Sequence, residues 1–163
     1  MQPRSQRRGV IIAAIIVVVI VAAVIYGAAR ASLSALPEPG AFETWLATTA
    51  KNWYIGRAAH APAAPAPAHS ATNIAAGGGL YGMECAFCHG TDPHTLAPIA
   101  HSMYPRVLNL SLPQVQAKSD PELFWVIKHG IRLSGMPGFA PINSDQDIWK
   151  LVYFVRSAAA PAK

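Results

Sequence analysis

Cys85-Ala86-Phe87-Cys88-His89 is the stretch whose reading decides the fold. Two thiols at this spacing can reach the two vinyl groups along one edge of a haem. The imidazole that follows is then set beneath the iron. The pattern is the attachment sequence for a c-type haem, and Cys85 and Cys88 are the only cysteines in 163 residues. Other uses of a Cys-x-x-Cys pair fit less well. A thioredoxin-like redox pair follows a buried strand and opens a helix, whereas Ala75-Ala76-Gly77-Gly78-Gly79-Leu80-Tyr81 has no strand character. A structural zinc site wants four ligands, usually as two spaced pairs. Here the missing ligands would be scattered histidines. A disulfide between two such close cysteines closes a very small loop and anchors little. The expectation is one covalently attached haem c, with thioether bonds at Cys85 and Cys88 and His89 as the proximal iron ligand.

A distal ligand must come from a segment that can fold over the other face of the ring. Gly130-Ile131-Arg132-Leu133-Ser134-Gly135-Met136-Pro137-Gly138-Phe139 reads as such a loop by its Gly and Pro content. Met136 supplies a weak, neutral thioether, and Met/His ligation raises the reduction potential. Met103, His94, His101 and His129 are the rival ligands, and Met83 reads as packing. An open sixth position would admit gas binding or peroxide chemistry. Residues 98–110 read as a loop around the haem edge. In it Pro98 can aim a backbone carbonyl at the His89 Nδ1–H, a contact that fixes a ligand's tautomer. Arg106, with its forked donors, is a partner for a haem propionate, and Tyr104 is a second. Trp125 can pack on the haem edge or donate its indole N–H to a propionate.

The surrounding segments carry helix signals. A first helix is expected over about 74–88. Its glycines cost roughly 1 kcal/mol each relative to Ala, which is tolerable where another backbone or a large ring comes close. Ser119-Asp120-Pro121-Glu122 opens a second helix that Gly130 stops. Ser144-Asp145-Gln146-Asp147 opens a third, with Ile148, Leu151, Val152 and Val155 in a stripe and an end near Ser157. The first and last helices are expected to cross near Gly77, with Phe154 or Leu151 filling the contact.

Upstream, Val10 to Ala29 are twenty uncharged, mostly aliphatic positions. A helix of that length spans about 30 Å, the hydrocarbon thickness of a bilayer. Arg4, Arg7 and Arg8 precede it, so the positive-inside rule sends the rest of the chain outward. A cleaved signal peptide ending at Ala29-Arg30-Ala31 is the competing reading. Residues 1–30 hold four arginines and no acid, while the nine basic and eight acidic residues that follow nearly cancel. The basic balance is a topology signal and not a nucleic-acid footprint. Phe42, Trp45, Leu46, Thr49 and Trp53 share one helical face. They predict an amphipathic helix over 42–57, lying on the membrane or a membrane partner, or else packed on the haem domain. Ala61-Pro62-Ala63-Ala64-Pro65-Ala66-Pro67-Ala68 reads as a semi-rigid linker that lets the haem domain reorient. His60 and His69 flank it as solvated residues.

Gly77, Tyr81, Cys85, Cys88, His89, the Gly-Met-Pro-Gly-Phe run at 135–139 and the aromatic last helix together resemble class I c-type cytochromes. The resemblance covers residues 74–157. It implies a small all-α monohaem cytochrome c fold, thioether bonds at Cys85 and Cys88, and axial ligation by His89 and Met136. More loosely, Tyr104-Pro105-Arg106 and Glu43-Thr44-Trp45-Leu46-Ala47 are similar to a membrane-anchored bacterial subgroup. Thr91-Asp92-Pro93-His94 departs from the Gly-rich loop common in familiar forms. The expected organisation is a cytoplasmic basic tail (1–9), a transmembrane signal-anchor helix (10–29), a connecting segment (30–72) and a haem domain (73–160). The expected function is single-electron transfer between redox proteins on the outer face of the cytoplasmic membrane, without catalysis. The alternative is a permanently bound haem c subunit of a membrane oxidoreductase complex.

Overall fold

The computed structural model describes residues 4–30, 34–60 and 64–159. Ala31, where the signal-peptide reading would cut, and Ala61-Pro62-Ala63, where the linker begins, lie outside the described residues. The chain divides into two units, residues 1–34 and 35–163.

The described part of the first unit holds one helix, α1 (Arg4–Arg30). Its Gln6–Gly27 stretch is long and apolar enough to cross a membrane, and none of its most apolar window is buried. Val and Ile around the whole circumference give it no polar face, the pattern of a helix that needs an apolar surround.

The second unit is all helical among its described residues. It begins with α2 (Ala41–Ala58), then α3 (Ala71–Glu84) and the single turn α4 (Ala86–His89). A 3₁₀ turn at Pro98–Ser102 follows, then α5 (Pro113–Gln116), α6 (Asp120–His129) and α7 (Asp145–Ser157). Local chemistry sets the helix ends. The Ser70 side chain accepts from the Asn73 N–H and starts α3 three residues before the apolar pattern begins. Ser119 and Glu122 form a reciprocal capping box on α6. Ser144 caps α7 by accepting from the Asp147 N–H.

α3 and α7 cross at Gly77. A Cβ there would lie 2.0 Å from the Lys150 carbonyl oxygen and 2.6 Å from its carbon, so only Gly fits. Phe154 covers Gly78 and meets the Tyr81 ring with centroids 4.8 Å apart. Ile148, Leu151 and Val152 are buried in the core behind this crossing. α6 joins through Phe124, stacked on Trp149 at 4.6 Å. Two ion pairs fasten α6 to α7, Lys128–Asp145 at 2.6 Å and Arg156–Asp120 at 2.7 Å.

The Ala/Pro segment is docked where a free spacer was expected. Trp149 donates its indole N–H to the Ala64 carbonyl at 2.9 Å, Gln146 donates to Pro65 at 2.9 Å and Tyr153 donates to Pro67 at 2.7 Å. Proline lacks an N–H, but its carbonyl remains a full acceptor. His69 is not simply solvated: its ring meets Tyr153 edge-on at 4.7 Å.

α2 packs on this unit through the face opposite the aromatic stripe. Ile55 is 2% exposed, Tyr54 meets Trp125 edge-on at 5.7 Å, and Asn52 accepts from Lys118 at 3.2 Å. The stripe itself, Phe42, Trp45, Leu46 and Trp53, stays exposed.

Candidate functional site

The last turn of α3 breaks at Cys85, and α4 carries Phe87, Cys88 and His89. Gly90 then takes φ +86°, a conformation L side chains avoid, and turns the chain away. Tyr81 fixes this corner by donating its hydroxyl to the Gly90 carbonyl at 2.7 Å. Burial first, then the charges of Cys85 and Asp92, push the Tyr81 hydroxyl up to about 12.

A cavity of about 200 Å³ opens beside α4. That is far above the roughly 10–15 Å³ that one water needs, so it is no packing defect. Cys85, Cys88, His89 and Met136 all line it, and the rest of its wall is mainly aliphatic. α6 contributes Leu123, Val126 and Ile127, and the loop before α5 contributes Val107, Leu108 and Leu110.

The His89 Nδ1 lies 3.0 Å from the Leu108 carbonyl oxygen. A carbonyl only accepts, so Nδ1 carries the proton and Nε2 keeps its lone pair. Burial lowers the imidazole's proton affinity, opposed by this hydrogen bond. The ring is a neutral, oriented base, as a metal ligand must be. The expectation for Pro98 is thereby corrected. Leu108 supplies the carbonyl, while Pro98 opens the 3₁₀ turn and lines a separate recess with Gly90 and Thr95.

Met136 sits in a loop closed by backbone bonds at both ends. Ile131 N–H donates to the Met136 carbonyl at 3.2 Å, and Met136 N–H donates to Ser134 Oγ at 3.2 Å. Beyond it, Phe139 and Ala140 donate back to Ile127 and Lys128, each at 3.1 Å. The turn starts at Gly130, whose φ of +69° allows the chain to fold back on α6. Met103 lines the same cavity, with its methyl end against Gly135. His94 and His101 do not line it. His129 stacks on Trp125 at 4.8 Å and also lies off the cavity.

The three other expected haem contacts turn elsewhere. Arg106 lines the cavity, but its donors reach the Leu36 carbonyl at 2.9 Å, Glu38 at 2.8 Å and the carbonyls of His101 and Met103. It clamps residues 35–38 onto the 101–106 loop. Tyr104 donates its hydroxyl to Glu43 in the first turn of α2. Trp125 lies two positions from Leu123, about 200° around α6, and therefore faces α2 instead of the cavity.

Residues not foreseen line the cavity as well. Ile55 and Lys51 reach it from α2, and Lys118 reaches it from the turn before α6. Lys51 and Ile55 are four apart, hence on one helical face, which was the available signal.

The cavity's chemistry sorts the alternatives. Burial first, then Glu84 and Cys88, push the Cys85 thiol up to about 12. A redox-active pair needs a thiolate held low, so exchange chemistry is a poor fit. Both cysteines are free thiols. Among the described residues no cluster of three His, Cys, Asp or Glu could hold a metal. Two thiols, an imidazole with its Nε2 free and a thioether around one apolar slot do fit a haem.

No curated protein matches the chain. Residues 72–155 match the family model for cytochrome c oxidase, cbb3-type, subunit III, and the chain belongs to that family. The matched region is a cytochrome c domain, which implies covalent haem c and electron transfer.

Proposed function

We propose that this cytochrome c domain is a membrane-anchored monohaem electron carrier working on the outer face of the cytoplasmic membrane. Cys85 and Cys88 would hold the haem through thioether bonds, and His89 and Met136 would ligate its iron. The observation that carries this is one apolar cavity lined by all four groups, with the His89 tautomer set by Leu108. The haem, when bound, supplies a one-electron couple.

The protein's part is positioning and exclusion. The Leu108 carbonyl holds the Nδ1–H, so His89 presents Nε2 to the iron. The closed loop at 131–139 brings Met136 to the same cavity, where its thioether would serve as the second iron ligand. Met103 lies beside it, in a segment held by the long Met103 N–H to Ala100 bond at 3.4 Å and by Arg106 on its carbonyl. With His89 and Met136 both holding the iron, no position would be left for substrate. Aliphatic walls keep water from the iron, and a neutral thioether favours the reduced state. Phe87 and Met83, both 76% exposed, flank the cysteines and suit a small, transient contact with redox partners. α1 supports the anchor, with Arg4, Arg7 and Arg8 at its N-terminal end on the cytoplasmic side.

A second reading has its own support. The family description names a subunit of an oxidase, and Trp45 and Trp53 stand on an exposed aromatic face. On this reading the chain is a permanently bound haem c subunit, with that face against its partner. Co-purification of a stoichiometric partner after detergent extraction selects it. Isolation as a single chain selects the free carrier.

Visible spectra of the purified full chain test the ligation. The oxidised protein should show the weak near-infrared thioether–iron band. Met136→Ala should lose it and Met103→Ala should keep it. Loss of the band in Met103→Ala instead would transfer the distal role to Met103. A high-spin spectrum that shifts with carbon monoxide would overturn the electron-carrier reading.

A further inference from the structure

We propose that Lys51 of α2 and Lys118 form a cationic cradle for the two haem propionates, so that α2 completes the haem site. This rests on the haem reading above and adds the group that would balance the haem's own carboxylates.

Both lysines line the cavity that holds Cys85, Cys88, His89 and Met136, and both are half-buried. Lys118 donates to the neutral Asn52 at 3.2 Å. Lys51 has no hydrogen-bond or ion-pair partner among the described residues. Two ammonium groups therefore line a cavity whose wall is mainly apolar. Burial first, then the charge of Lys118, lowers the Lys51 pKa, a strain on the two cations that an anion beside them would offset.

Among the described residues neither lysine has an ion pair with an acid. Glu122 is near enough to Lys118 and His60 to be stabilised by them, but its carboxylate accepts from the Ser119 N–H at 2.7 Å and hydroxyl at 2.9 Å. Asp120 pairs with Arg156. Arg106, the other cation on the cavity, pairs with Glu38. Among the described residues Glu84 is the one acid in the cavity wall, and it sits next to Cys85.

Position agrees with haem chemistry. Propionates leave the macrocycle on the side opposite the vinyl groups. The Lys118 carbonyl accepts from Arg156, at the C-terminal end of α7. Glu84, beside Cys85, instead accepts from Asn143, ahead of the N-terminus of α7, at 2.6 Å. The Lys118 backbone thus lies toward the C-terminal end of α7, and Glu84, next to Cys85, lies toward its N-terminal end. Ile55, on the same face of α2 as Lys51, lines the cavity as well.

The test is the midpoint potential of the full-length holoprotein against pH, for wild type, Lys51→Met, Lys118→Met and the matching Arg variants. Losing a cation beside an ionised propionate destabilises the reduced haem. Each Met variant should lose about tenfold in the reduction equilibrium constant at neutral pH, where the propionates are ionised and the lysines still carry charge, which is 59 mV for one electron. The propionate pKa should rise by about a unit. The potential of each Met variant should therefore climb back toward wild type as pH falls through that pKa, at higher pH than in wild type. Lys51→Arg and Lys118→Arg should follow wild type, as should the outer-face control Lys150→Met. Met variants with an intact haem spectrum and the wild-type curve would overturn the cradle and leave the electron-carrier reading standing. Absence of covalent haem in the wild type would sink both.

Discussion

The cytochrome c domain has two sides built by different means. At the α3–α7 crossing, helix meets helix with backbone against backbone, and Ile148 and Val152 are 0% exposed. At the cavity, helices supply only part of the wall. The loops at 103–110 and 131–139 complete it, held by backbone bonds such as Phe139 to Ile127 and by the Gly130 turn. One side is specified by volume and tolerates no added atom. The other is specified by hydrogen bonding and leaves room for a rigid, flat group. Protein packing alone finishes the first, and the cofactor finishes the second.

The hardest test of this contrast lies in three consecutive glycines. At Gly77 an added Cβ meets backbone at 2.0 Å, at Gly78 it meets the Phe154 ring at 3.1 Å, and at Gly79 it meets nothing within 4 Å. Gly77→Ala must push the helices apart and should cost at least about 1–3 kcal/mol, the range for overpacked cores. Gly79→Ala should stabilise by up to roughly 1 kcal/mol through helix propensity. Gly78→Ala should fall between, because a ring can tilt where a carbonyl cannot move. Denaturant midpoints of the three holoproteins check the order. Equal effects at 77 and 79 would mean that the crossing is looser than its geometry.

Tyr81 joins the two sides, and its removal should be felt on both. Its ring packs on Phe154 at the crossing, and its hydroxyl holds the Gly90 carbonyl just after His89. Tyr81→Phe keeps the ring contact and strands a carbonyl. The expected loss is about 1–3 kcal/mol, the cost of a buried unmet acceptor. Faster hydrogen exchange at residues 88–92, with α7 unchanged, would assign the loss to the cavity side. Loss spread evenly would show the two sides to be one cooperative unit.

This division also marks what could be read from the sequence. The crossing was legible, because helix caps and apolar spacing are local signals: Ser119, Ser144 and the Ile148–Val155 stripe each sit where the pattern put them. The loop around Met136 was legible as a loop through its Gly and Pro. The contacts that organise the cavity wall were not. Leu108 acts through a carbonyl, which every residue carries. Arg106 and Tyr104 have the right donors, but the acceptors that capture them, Glu38 and Glu43, stand 68 and 61 positions away. The Ala/Pro segment has no side chain to announce its docking. The signal lay in Trp149 and Tyr153, whose N–H and O–H needed acceptors. On α2 the aromatic stripe drew attention, while the face that packs was marked only by Ile55.

The smallest effect is expected where the two sides share a wall. α6 turns Leu123 and Ile127 toward both the core and the cavity, and its start depends on the capping box. The Ser119 backbone N–H is the main reason the Glu122 carboxyl sits below its ordinary 4.5, with the Ser119 hydroxyl and Lys118 adding to it. A depressed carboxylate contributes stability above its unfolded pKa, and that contribution is lost as pH falls through the folded pKa. Glu122→Gln keeps an acceptor but removes the charge at the helix N-terminus. It should cost about 0.3–1 kcal/mol at neutral pH, toward the lower end because water screens the group. The gap between variant and wild type should shrink below pH 4.5 as Glu122 takes up its proton. Denaturant midpoints at neutral pH and below pH 4 measure it. A gap that stayed constant would place the whole effect in the shape of the cap, and α6 would then hold its wall without help from charge.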